Sequence, residues 1–384
     1  MRIQYVSDIV LPSRAANTVN VAKMCGAFVE LGHAVTLLCR KSVAMAEHYG
    51  VSEDIHTVDI SSPKWPLVGG VLFAAAVRKA LRREPRPDLC YGRHIYGVAA
   101  AAQLGVPVML ELHQVPAKLV LRKLVTWLSR RAECRAVVVI SDALRRDLAA
   151  ALPDAAHETF LVAHDAADVP AHGSGTALID WRGRPGALQV GYVGNLYPGK
   201  GMEVVERLAA AKLDVDFHIV GGTEEHIQHW RSRCGESHVH FHGFVAHACL
   251  PSAYGRFDVA IAPLQSRIEG AAGGDIARWT SPLKIFEYMA SGKAIVASDL
   301  PVLREVLQHE SNALLVPPDD IAGWERALQR LADDTNLRDR LGKQARDDFA
   351  RRHTWKQRAQ AILHVLEPAR LAASSGHRLC GSRR

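Results

Sequence analysis

The sequence predicts an α/β protein whose parallel β-sheets are divided between two domains. Short apolar runs alternate with longer amphipathic stretches along most of the chain, which is the pattern of β-α-β units. The length of 384 residues favours two domains over one or four. A segment rich in Gly, Pro and Ala, residues 166–186, interrupts this pattern, and we place the domain junction there.

Each domain has its own set of candidate strands and helices. The strands are predicted at residues 3–6, 35–39, 89–91, 108–112, 136–140 and 159–162, and then at 190–193, 216–220, 239–242, 259–262, 294–297 and 313–316. Two helices, over residues 19–31 and 282–291, are each followed by a glycine, as helix ends often are. Such strands are expected to be buried on both faces.

These patterns set the predicted domain boundaries. We expect an N-terminal domain over residues 1–170, a linker over 171–186 and a C-terminal domain over 187–366. A polar, basic tail over 367–384 is expected to be frayed. Within the C-terminal domain, the helical segment near residues 355–366 is expected to cross back toward the first domain.

The composition indicates which cellular compartment and which kinds of partner to expect. Seven cysteines, an odd number without any CxxC pair, favour reduced thiols in the cytoplasm. The N-terminus lacks the apolar region of a signal peptide, and no apolar stretch reaches the roughly 20 residues that span a bilayer. The net charge of +7 suits a polyanion or a membrane surface, and since no nucleic-acid-binding motif is present we expect no nucleic-acid partner.

A glycine-rich turn after the strand at 190–193 is the first candidate anion site. Gly194, Gly199 and Gly201 allow close approach of a ligand, and the following helix presents free N–H groups. Lys200 adds a full positive charge. The arrangement suits a diphosphate, although an ordinary β-α turn explains the same residues.

The start of the helix at 282–291 is a second candidate anion site. Ser281 is a suitable N-cap and Pro282 suits the first helical position. Lys284 lies in the first turn, where a cation opposes the helix dipole, so a nearby anion would rationalise it. Glu287, on the same face, could accept hydrogen bonds from a ribose; the alternative is an intrahelical ion pair with Lys284.

Six segments of the second half share their order and spacing with a known class of enzymes. They are GYVGNLYPGKG, FHIVGG, VHFHGFV, DVAIAPL, SPLKIFEYMASGKAIVAS and NALLVPPDD. Together they resemble the donor-binding half of retaining GT-B glycosyltransferases of the group 1 class, glycosyltransferase family 4. The first half resembles the class more loosely, in LPSRAANTVNVAKMCGAFVELGHAVTLL, LELHQVP and VVVISDAL. The resemblance implies two Rossmann-like domains facing across a cleft.

The resemblance also implies roles for particular residues. Lys200 corresponds to the lysine that holds the donor diphosphate, and Glu287 to the second acid of a Glu-x7-Glu motif that binds the nucleotide ribose. Asn195 stands where relatives often have arginine, and Trp279 stands where the first acid would fall. The remaining donor-binding positions that we carry over from the matched segments are Val245 and Leu283, with Gly194, Gly199, Gly201, Ser281, Pro282 and Lys284.

Two departures leave the contacts to the sugar open. Glu269 or Asp275 could reach the sugar in place of the missing first acid.

Asp214 and Asp216 form a D-x-D string, but they precede a strand and we expect no metal site there. The resemblance implies no cofactor other than the nucleotide-diphosphate sugar as co-substrate.

Three residues of the first half are also candidates by resemblance. Ala15 and Ala16 follow the first strand, where relatives often carry a glycine pair that contacts the donor phosphate; two alanines are also unremarkable in a loop. His113 ends an apolar strand, and in similar proteins a histidine there touches the transferred sugar. The alternative for His113 is a solvated side chain at a strand end.

The stretch that begins at Lys118 and ends at Arg135 is basic and amphipathic. It carries six Lys and Arg residues against Glu133, with Trp127 beside an apolar helical face. Such a helix can lie on an anionic membrane, on its cytoplasmic side; the alternative is a core-facing helix with a solvated basic face.

We therefore expect a glycosyltransferase of the hexosyltransferase type that moves a sugar from a nucleotide-diphosphate donor to a hydroxyl of a glycan or lipid-linked glycan, with retention. The catalytic candidates are Lys200 and His113. The alternatives are a non-catalytic donor-binding subunit or scaffold, and a nucleotide-sugar 2-epimerase of the same fold.

Overall fold

The protein is described here by a computed structural model over residues 1–13, 15–66, 68–170, 181–211, 214–235, 238–268, 275 and 277–366. The chain divides into two compact units. The first unit takes in residues 1–140 and 144–164 and the C-terminal segment from Trp355, and the second takes in residues 141–143 and 165–354. The divisions at residues 164 and 354 differ from the predicted boundaries at 170 and 366.

The first unit is built on a parallel sheet. Its strands are β1 (Arg2–Val6), β2 (Val10–Leu11), β3 (Ala34–Cys39), β4 (Lys41–Ser42), β5 (His56–Asp59), β6 (Leu89–Gly92), β7 (Val108–Leu112), β8 (Cys134–Val139) and β9 (Phe160–Val162). Its helices are α1 (Ala16–Glu30), α2 (Met45–Tyr49), α3 (Gly69–Arg83), α4 (Ile95–Gln103), α5 (Leu119–Ser129) and α6 (Asp142–Ala151). The strand order is β5-β3-β1-β6-β7-β8-β9, with β2 and β4 paired separately.

The second unit repeats this plan. It contains β10 (Leu188–Val193), α7 (Met202–Ala209), β11 (Val215–Val220), α8 (Glu224–Cys234), β12 (Val239–Gly243), α9 (Leu250–Arg256), β13 (Val259–Ala262), α10 (Leu283–Ser291), β14 (Ala294–Ser298), β15 (Leu314–Val316), α11 (Ile321–Asp333) and α12 (Thr335–Arg352). The strands are parallel, in the order β12-β11-β10-β13-β14-β15. The chain order reverses at β10, so the loop after this strand lies at a switch point, where open α/β sheets bind ligands.

The predicted strands are confirmed, with ends that move by one or two residues. The edge strand β5 escaped prediction because its polar residues His56 and Asp59 are exposed at its ends and it contains no apolar run. The central strands are apolar because both faces are covered. In the second unit, Val190 and Phe217 pack with Trp324 on one face, while Ala260 and Met289 belong to the core on the other. Burying each large apolar side chain stabilises the fold by about 1.5–3 kcal/mol.

The C-terminal helix α13 (Trp355–His364) belongs to the first unit, where it packs against α1. This packing is the reason why the second unit ends before the helix. Trp355 is buried, and Arg358 donates hydrogen bonds to the carbonyl oxygens of Ala163 (3.3 Å) and His164 (2.9 Å). None of the helices in the described part of the chain combines the length and apolar character that a membrane crossing requires.

The basic stretch from Lys118 to Arg135 is shorter as a helix than the sequence predicts. Helix α5 ends at Ser129, and a turn then leads into β8. Val125 and Leu128 are fully buried as expected, but Leu119 and Val120 at the start of the helix are 71% and 56% exposed. The helix therefore keeps an exposed apolar end beside its basic residues.

Candidate functional site

The loop between β10 and α7 places the first group of predicted residues. Gly194 has φ +141°, and a Cβ atom at this position would lie 3.0 Å from Nζ of Lys284. The absence of a side chain on Gly194 thus allows the ammonium of Lys284 to pack directly against the backbone. Asn195 follows as an exposed residue whose carbonyl oxygen accepts a hydrogen bond from the hydroxyl of Tyr192 (2.7 Å).

The two later glycines of this loop are required by tight packing. A Cβ on Gly199 (φ +80°) would lie 2.1 Å from the carbonyl oxygen of Arg267, and one on Gly201 (φ +113°) would lie 2.5 Å from Pro263. The N–H of Gly199 donates to Oε1 of Glu203 (2.9 Å), so this amide already has an acceptor within the loop. Gly201 is the N-cap of α7.

Lys200 and Lys284 lie close enough for the charge of Lys200 to lower the pKa of Lys284. The side chain of Lys200 is partly buried, and burial lowers its pKa. Nζ of Lys284 is buried, has no hydrogen-bond partner among the described residues, and lies 3.8 Å from the centroid of the Tyr192 ring. Burial, and then the charge of Lys200, hold the pKa of Lys284 well below its usual value. A buried ammonium without a counterion is costly, so this arrangement favours an anion.

Helix α10 begins one residue later than predicted. Pro282, with an extended ψ of 122°, is the N-cap, and Leu283 is the first helical residue. Ser281 does not cap the helix, because its hydroxyl oxygen accepts a hydrogen bond from the backbone N–H of Asp165 (3.2 Å). Since proline has no N–H, the first free backbone donors of α10 are those of Leu283 and Lys284.

Glu287 is held by two side chains from elsewhere in the second unit. Its Oε1 atom lies 2.9 Å from Nε2 of His247, and its Oε2 atom accepts a 2.5 Å hydrogen bond from the hydroxyl of Tyr254. Burial alone would raise the pKa of Glu287, but these partners lower it below its ordinary value. The alternative of an intrahelical ion pair with Lys284 is wrong, because Nζ of Lys284 has no hydrogen-bond partner among the residues that the structure describes, Glu287 included.

The remaining predicted residues of the second unit occupy varied positions. Val245, in the loop after β12, packs against the hydrophobic core, and Trp279 is half-buried. Asp275 accepts hydrogen bonds at one oxygen from the backbone N–H groups of Ile268 (3.0 Å) and Ala277 (2.9 Å), so that oxygen stabilises its own loop. Glu269 lies outside the described residues.

Asp216, the second acid of the D-x-D string, is paired with Arg184. It is buried and accepts hydrogen bonds from the backbone N–H and the guanidinium of Arg184, the latter at 2.7 Å. Burial would raise the pKa of Asp216, but Arg184 lowers it below its ordinary value.

The candidates of the first unit form two separate features. Ala15 is the N-cap of α1 and Ala16 its first residue, and both are exposed. His113 follows β7, and its Nε2 atom lies 2.5 Å from Oε1 of the buried Glu111. Because of this contact, His113 is more than a solvated side chain at a strand end, which was the alternative interpretation.

Several residues at these sites were missed by sequence reasoning. Four of them contact predicted residues, and Arg358 contacts Glu111, the partner of His113. The missed residues are Tyr192, Glu203, His247, Tyr254 and Arg358. Glu203 carried the clearest signal, because an acid in the first turn of a helix stabilises the N-terminus. The others carried no local signal.

Two family models match the chain. The model described as Glycosyl transferases group 1 matches residues 187–334, and the model described as Glycosyltransferase Family 4 matches residues 18–162. Together the two ranges cover more than half of the chain.

Two curated relatives align with the chain over different lengths. Phosphatidyl-myo-inositol mannosyltransferase of Mycolicibacterium smegmatis is 34% identical over 178 residues, which are 44% of this chain and 42% of that protein. Alpha-D-kanosaminyltransferase of Streptomyces kanamyceticus is 27% identical over 308 residues, 72% of this chain and 76% of that protein. The chain thus spans less than half the length of the mannosyltransferase.

Solved structures share the fold at low sequence identity. Anabaena HepE in complex with UDP has a TM-score of 0.73 at 17% identity, over 96% of this chain and 100% of that one. Sucrose-phosphate synthase of Thermosynechococcus elongatus has a TM-score of 0.72 at 18% identity, over 97% and 99%. With its two Rossmann-like units, the chain therefore has the GT-B fold. By the family models, it belongs to the group 1 glycosyltransferases of family 4.

Proposed function

We propose that the protein transfers a sugar from a nucleotide-diphosphate donor to a hydroxyl group of a glycan or lipid-linked glycan, with retention of the anomeric configuration. The observation that carries this proposal is the buried Nζ atom of Lys284, which has no hydrogen-bond partner among the described residues. A diphosphate would supply the missing anion. Anabaena HepE was solved with UDP-glucose, which supports a nucleotide sugar as donor.

The chemistry needs positive charge where the diphosphate departs. Cleavage of the sugar–phosphate bond leaves negative charge on the terminal phosphate, which Lys200, Lys284 and the N-terminus of α10 would stabilise. Preorganised donors of this kind each contribute about 10²–10³ in rate. The departing phosphate would receive the proton of the acceptor hydroxyl, so the proposal needs no protein base.

The ribose would bind beside this charge. Glu287 is ionised, and each carboxylate oxygen can accept more than one hydrogen bond. Although His247 and Tyr254 each occupy part of this capacity, Glu287 could still accept from the two ribose hydroxyls. His247 and Tyr254 would thus hold the carboxylate of Glu287 in place before the donor binds.

A thermal-shift titration with UDP, GDP and ADP tests the donor site. We expect one nucleotide to stabilise the wild type, and this stabilisation to be lost in Lys200→Ala, Lys284→Met and Glu287→Ala. Lys343→Met, which removes an exposed lysine of α12, is the matched control and should behave as wild type. Stabilisation that survives all three site substitutions would contradict the proposed donor site.

Turnover assays separate transfer from its alternatives. A sugar linked to an acceptor supports the transferase, whereas a monomeric epimer formed without acceptor would indicate a nucleotide-sugar 2-epimerase. Nucleotide binding without turnover, across several donors and acceptors, would favour the non-catalytic scaffold. Asn195 and Trp279, which stand where charged residues are usual in the family, favour this scaffold as an alternative.

We also propose that α5 contacts an anionic membrane. A groove of about 500 Å³ lies along this helix and is lined by Trp127 and Leu119, by four basic side chains and by the acidic Asp154. Two of these cations have partners: Arg122 donates to the carbonyl oxygen of Pro116, and Arg131 pairs with Glu133. Lys123 and Arg130 are exposed, and no acceptor from the described residues binds them. Anionic headgroups would complement these two charges.

Vesicle sedimentation tests the membrane contact. At about 1 kcal/mol for each cation near the surface, Lys123→Gln with Arg130→Gln should weaken binding to phosphatidylglycerol vesicles roughly 30-fold. The charge-matched control, Arg82→Gln with Arg83→Gln at the exposed end of α3, should have little effect. Equal loss in both double variants, or no loss in either, would overturn the assignment to α5.

A further inference from the structure

The first unit exposes large apolar side chains at the starts of two of its helices. Trp65 and Val68 precede α3, and Val71 lies in its first turn; they are 64%, 46% and 51% exposed. Leu119 and Val120, the first residues of α5, are exposed as described above. We call these five residues the apolar edge. An exposed apolar residue that stands alone is normal, whereas a group of them marks a binding surface.

The topology of the sheet brings the two halves of the apolar edge to the same side of the first unit. The connections β5–α3–β6, β6–α4–β7 and β7–α5–β8 all cross the sheet in one direction. Right-handed crossovers therefore place α3, α4 and α5 on one face, where α4 packs against both of the other helices. Because each helix follows a parallel strand, its first turn lies at the carboxyl end of the strands, where such sheets bind ligands.

The start of α4 connects the two halves. Tyr96 is half-buried there, and its ring packs on the first turn of α3, where a Cβ atom on Gly70 would lie 3.1 Å from Cδ2 of Tyr96. With about 8–10 Å between neighbouring helix axes, the apolar edge spans roughly 20 Å. At its other end it continues into the groove along α5, since Leu119 belongs to both.

The charges around the apolar edge favour an anionic lipid over a protein as its partner. Neither Asp nor Glu occurs in residues 60–83 or 112–132, the segments that contain the edge together with α3 and α5. Lys64 and Lys118, each directly before an apolar residue of the edge, are exposed, and neither has a hydrogen-bond or ion-pair partner among the described residues. Tryptophan and leucine beside lysine are typical of surfaces that lie in a membrane interface, whereas lysine is depleted in protein–protein interfaces.

We propose that the apolar edge binds the hydrocarbon chain of a membrane-bound, lipid-linked acceptor, with Lys64 and Lys118 facing the anionic group that joins the lipid to its sugar. The acceptor is then a glycolipid and not a water-soluble glycan. Its role as acceptor rests on the proposed function, whereas the contact between the apolar edge and lipid does not.

Fluorescence quenching tests the lipid contact without any assay of transfer. In phosphatidylglycerol vesicles, brominated acyl chains quench those tryptophans that reach the hydrocarbon region. We expect brominated vesicles to quench the wild type, most of this quenching to be lost in Trp65→Phe, and little of it to be lost in Trp181→Phe, the control in the second unit. No quenching of the wild type, or equal quenching in Trp65→Phe, would overturn the proposal.

Vesicle sedimentation tests the aliphatic half of the apolar edge. Leu119→Ser with Val120→Ser should weaken binding to phosphatidylglycerol vesicles about 10-fold or more, because apolar area is withdrawn from the lipid. Both residues are exposed, so the fold should tolerate the change. Val169→Ser, at a valine of the second unit that is 67% exposed, is the control and should bind as the wild type.

Two results of this comparison would contradict the lipid contact. One is an equal loss of vesicle binding in the double variant and in Val169→Ser. The other is unchanged vesicle binding in the double variant together with a change in the sedimentation coefficient of the lipid-free protein, which would show that the apolar edge joins copies of the chain.

The chain length of the acceptor tests the substrate class, with the nucleotide sugar selected by the thermal-shift series. Decyl glycosides should be used with a kcat/KM about 100-fold higher than that of the methyl glycosides of the same sugars, and Trp65→Ser should lower this ratio about 10-fold. Equal kcat/KM values for the two glycosides in the wild type would overturn the lipid-linked acceptor. If the wild type transfers sugar to no acceptor, the proposed function fails, and the quenching result alone decides whether the apolar edge binds lipid.

Discussion

Replacing Lys284 by methionine removes a buried charge while nearly preserving the volume of the side chain. In the folded protein without ligand, burial and the nearby Lys200 lower the pKa of Lys284, and only Glu287 opposes them. In the unfolded chain the pKa returns to about 10.4. Between these two pKa values the unfolded state binds one proton more than the folded state, so the stability of the wild type falls as the pH falls.

The size of this effect follows from the linkage relation. One proton corresponds to at most about 1.4 kcal/mol for each pH unit. For a unit of this size, that is a change in melting temperature of about 3–6 °C per pH unit. We expect Lys284→Met to be more stable than the wild type near pH 7, with a difference that shrinks as the pH rises toward 10.

The same substitution should also weaken binding of the nucleotide. A hydrogen bond to a charged group contributes about 1.5–3 kcal/mol, so the affinity for the stabilising nucleotide should fall about 10- to 150-fold. Melting curves between pH 6.5 and 9.5, with and without nucleotide, measure both effects, with Lys343→Met as the control. A variant that is less stable than the wild type near pH 7 and binds the nucleotide equally well would refute the reasoning.

Three further predictions concern the same unit. Because an anion beside Lys284 would raise its lowered pKa, nucleotide binding should take up protons at pH values above the pKa of Lys284 in the free protein. Calorimetry over a series of pH values, in two buffers of different ionisation enthalpy, measures this uptake, which should disappear in Lys284→Met. Gly199→Ala should lower the melting temperature far more than Gly186→Ala, because both glycines have positive φ but only at Gly199 would the new Cβ lie 2.1 Å from a carbonyl oxygen; equal losses would contradict this. Tyr254→Phe should destabilise the protein by about 1–3 kcal/mol and weaken binding of the nucleotide, because Glu287 loses its 2.5 Å hydrogen bond. Calorimetric melting measures the stability and calorimetric titration the affinity. An unchanged Kd would argue against a role of Glu287 at the ribose.

Local sequence patterns predicted most of the fold. Strands buried on both faces appear as apolar runs, and Gly292 after α10 has the left-handed conformation expected of a helix end. The errors lie where a local rule competed with tertiary contacts. Ser281 is a good N-cap by type, but its hydroxyl is used by Asp165, and α5 ends earlier than its amphipathic pattern because the chain turns into β8.

The two parallel sheets, the glycine-rich turn and the lysines and acids of the candidate sites can be predicted from the amino-acid sequence, because each depends on residues close together in the chain. The partners of those residues depend on the tertiary structure. Nζ of Lys284 is buried with no hydrogen-bond partner in the described part of the chain. Glu287 is held by side chains 33 and 40 positions away, and Arg358 contacts Glu111. Such partners are chosen by the packing of distant elements, and no local period or motif records them.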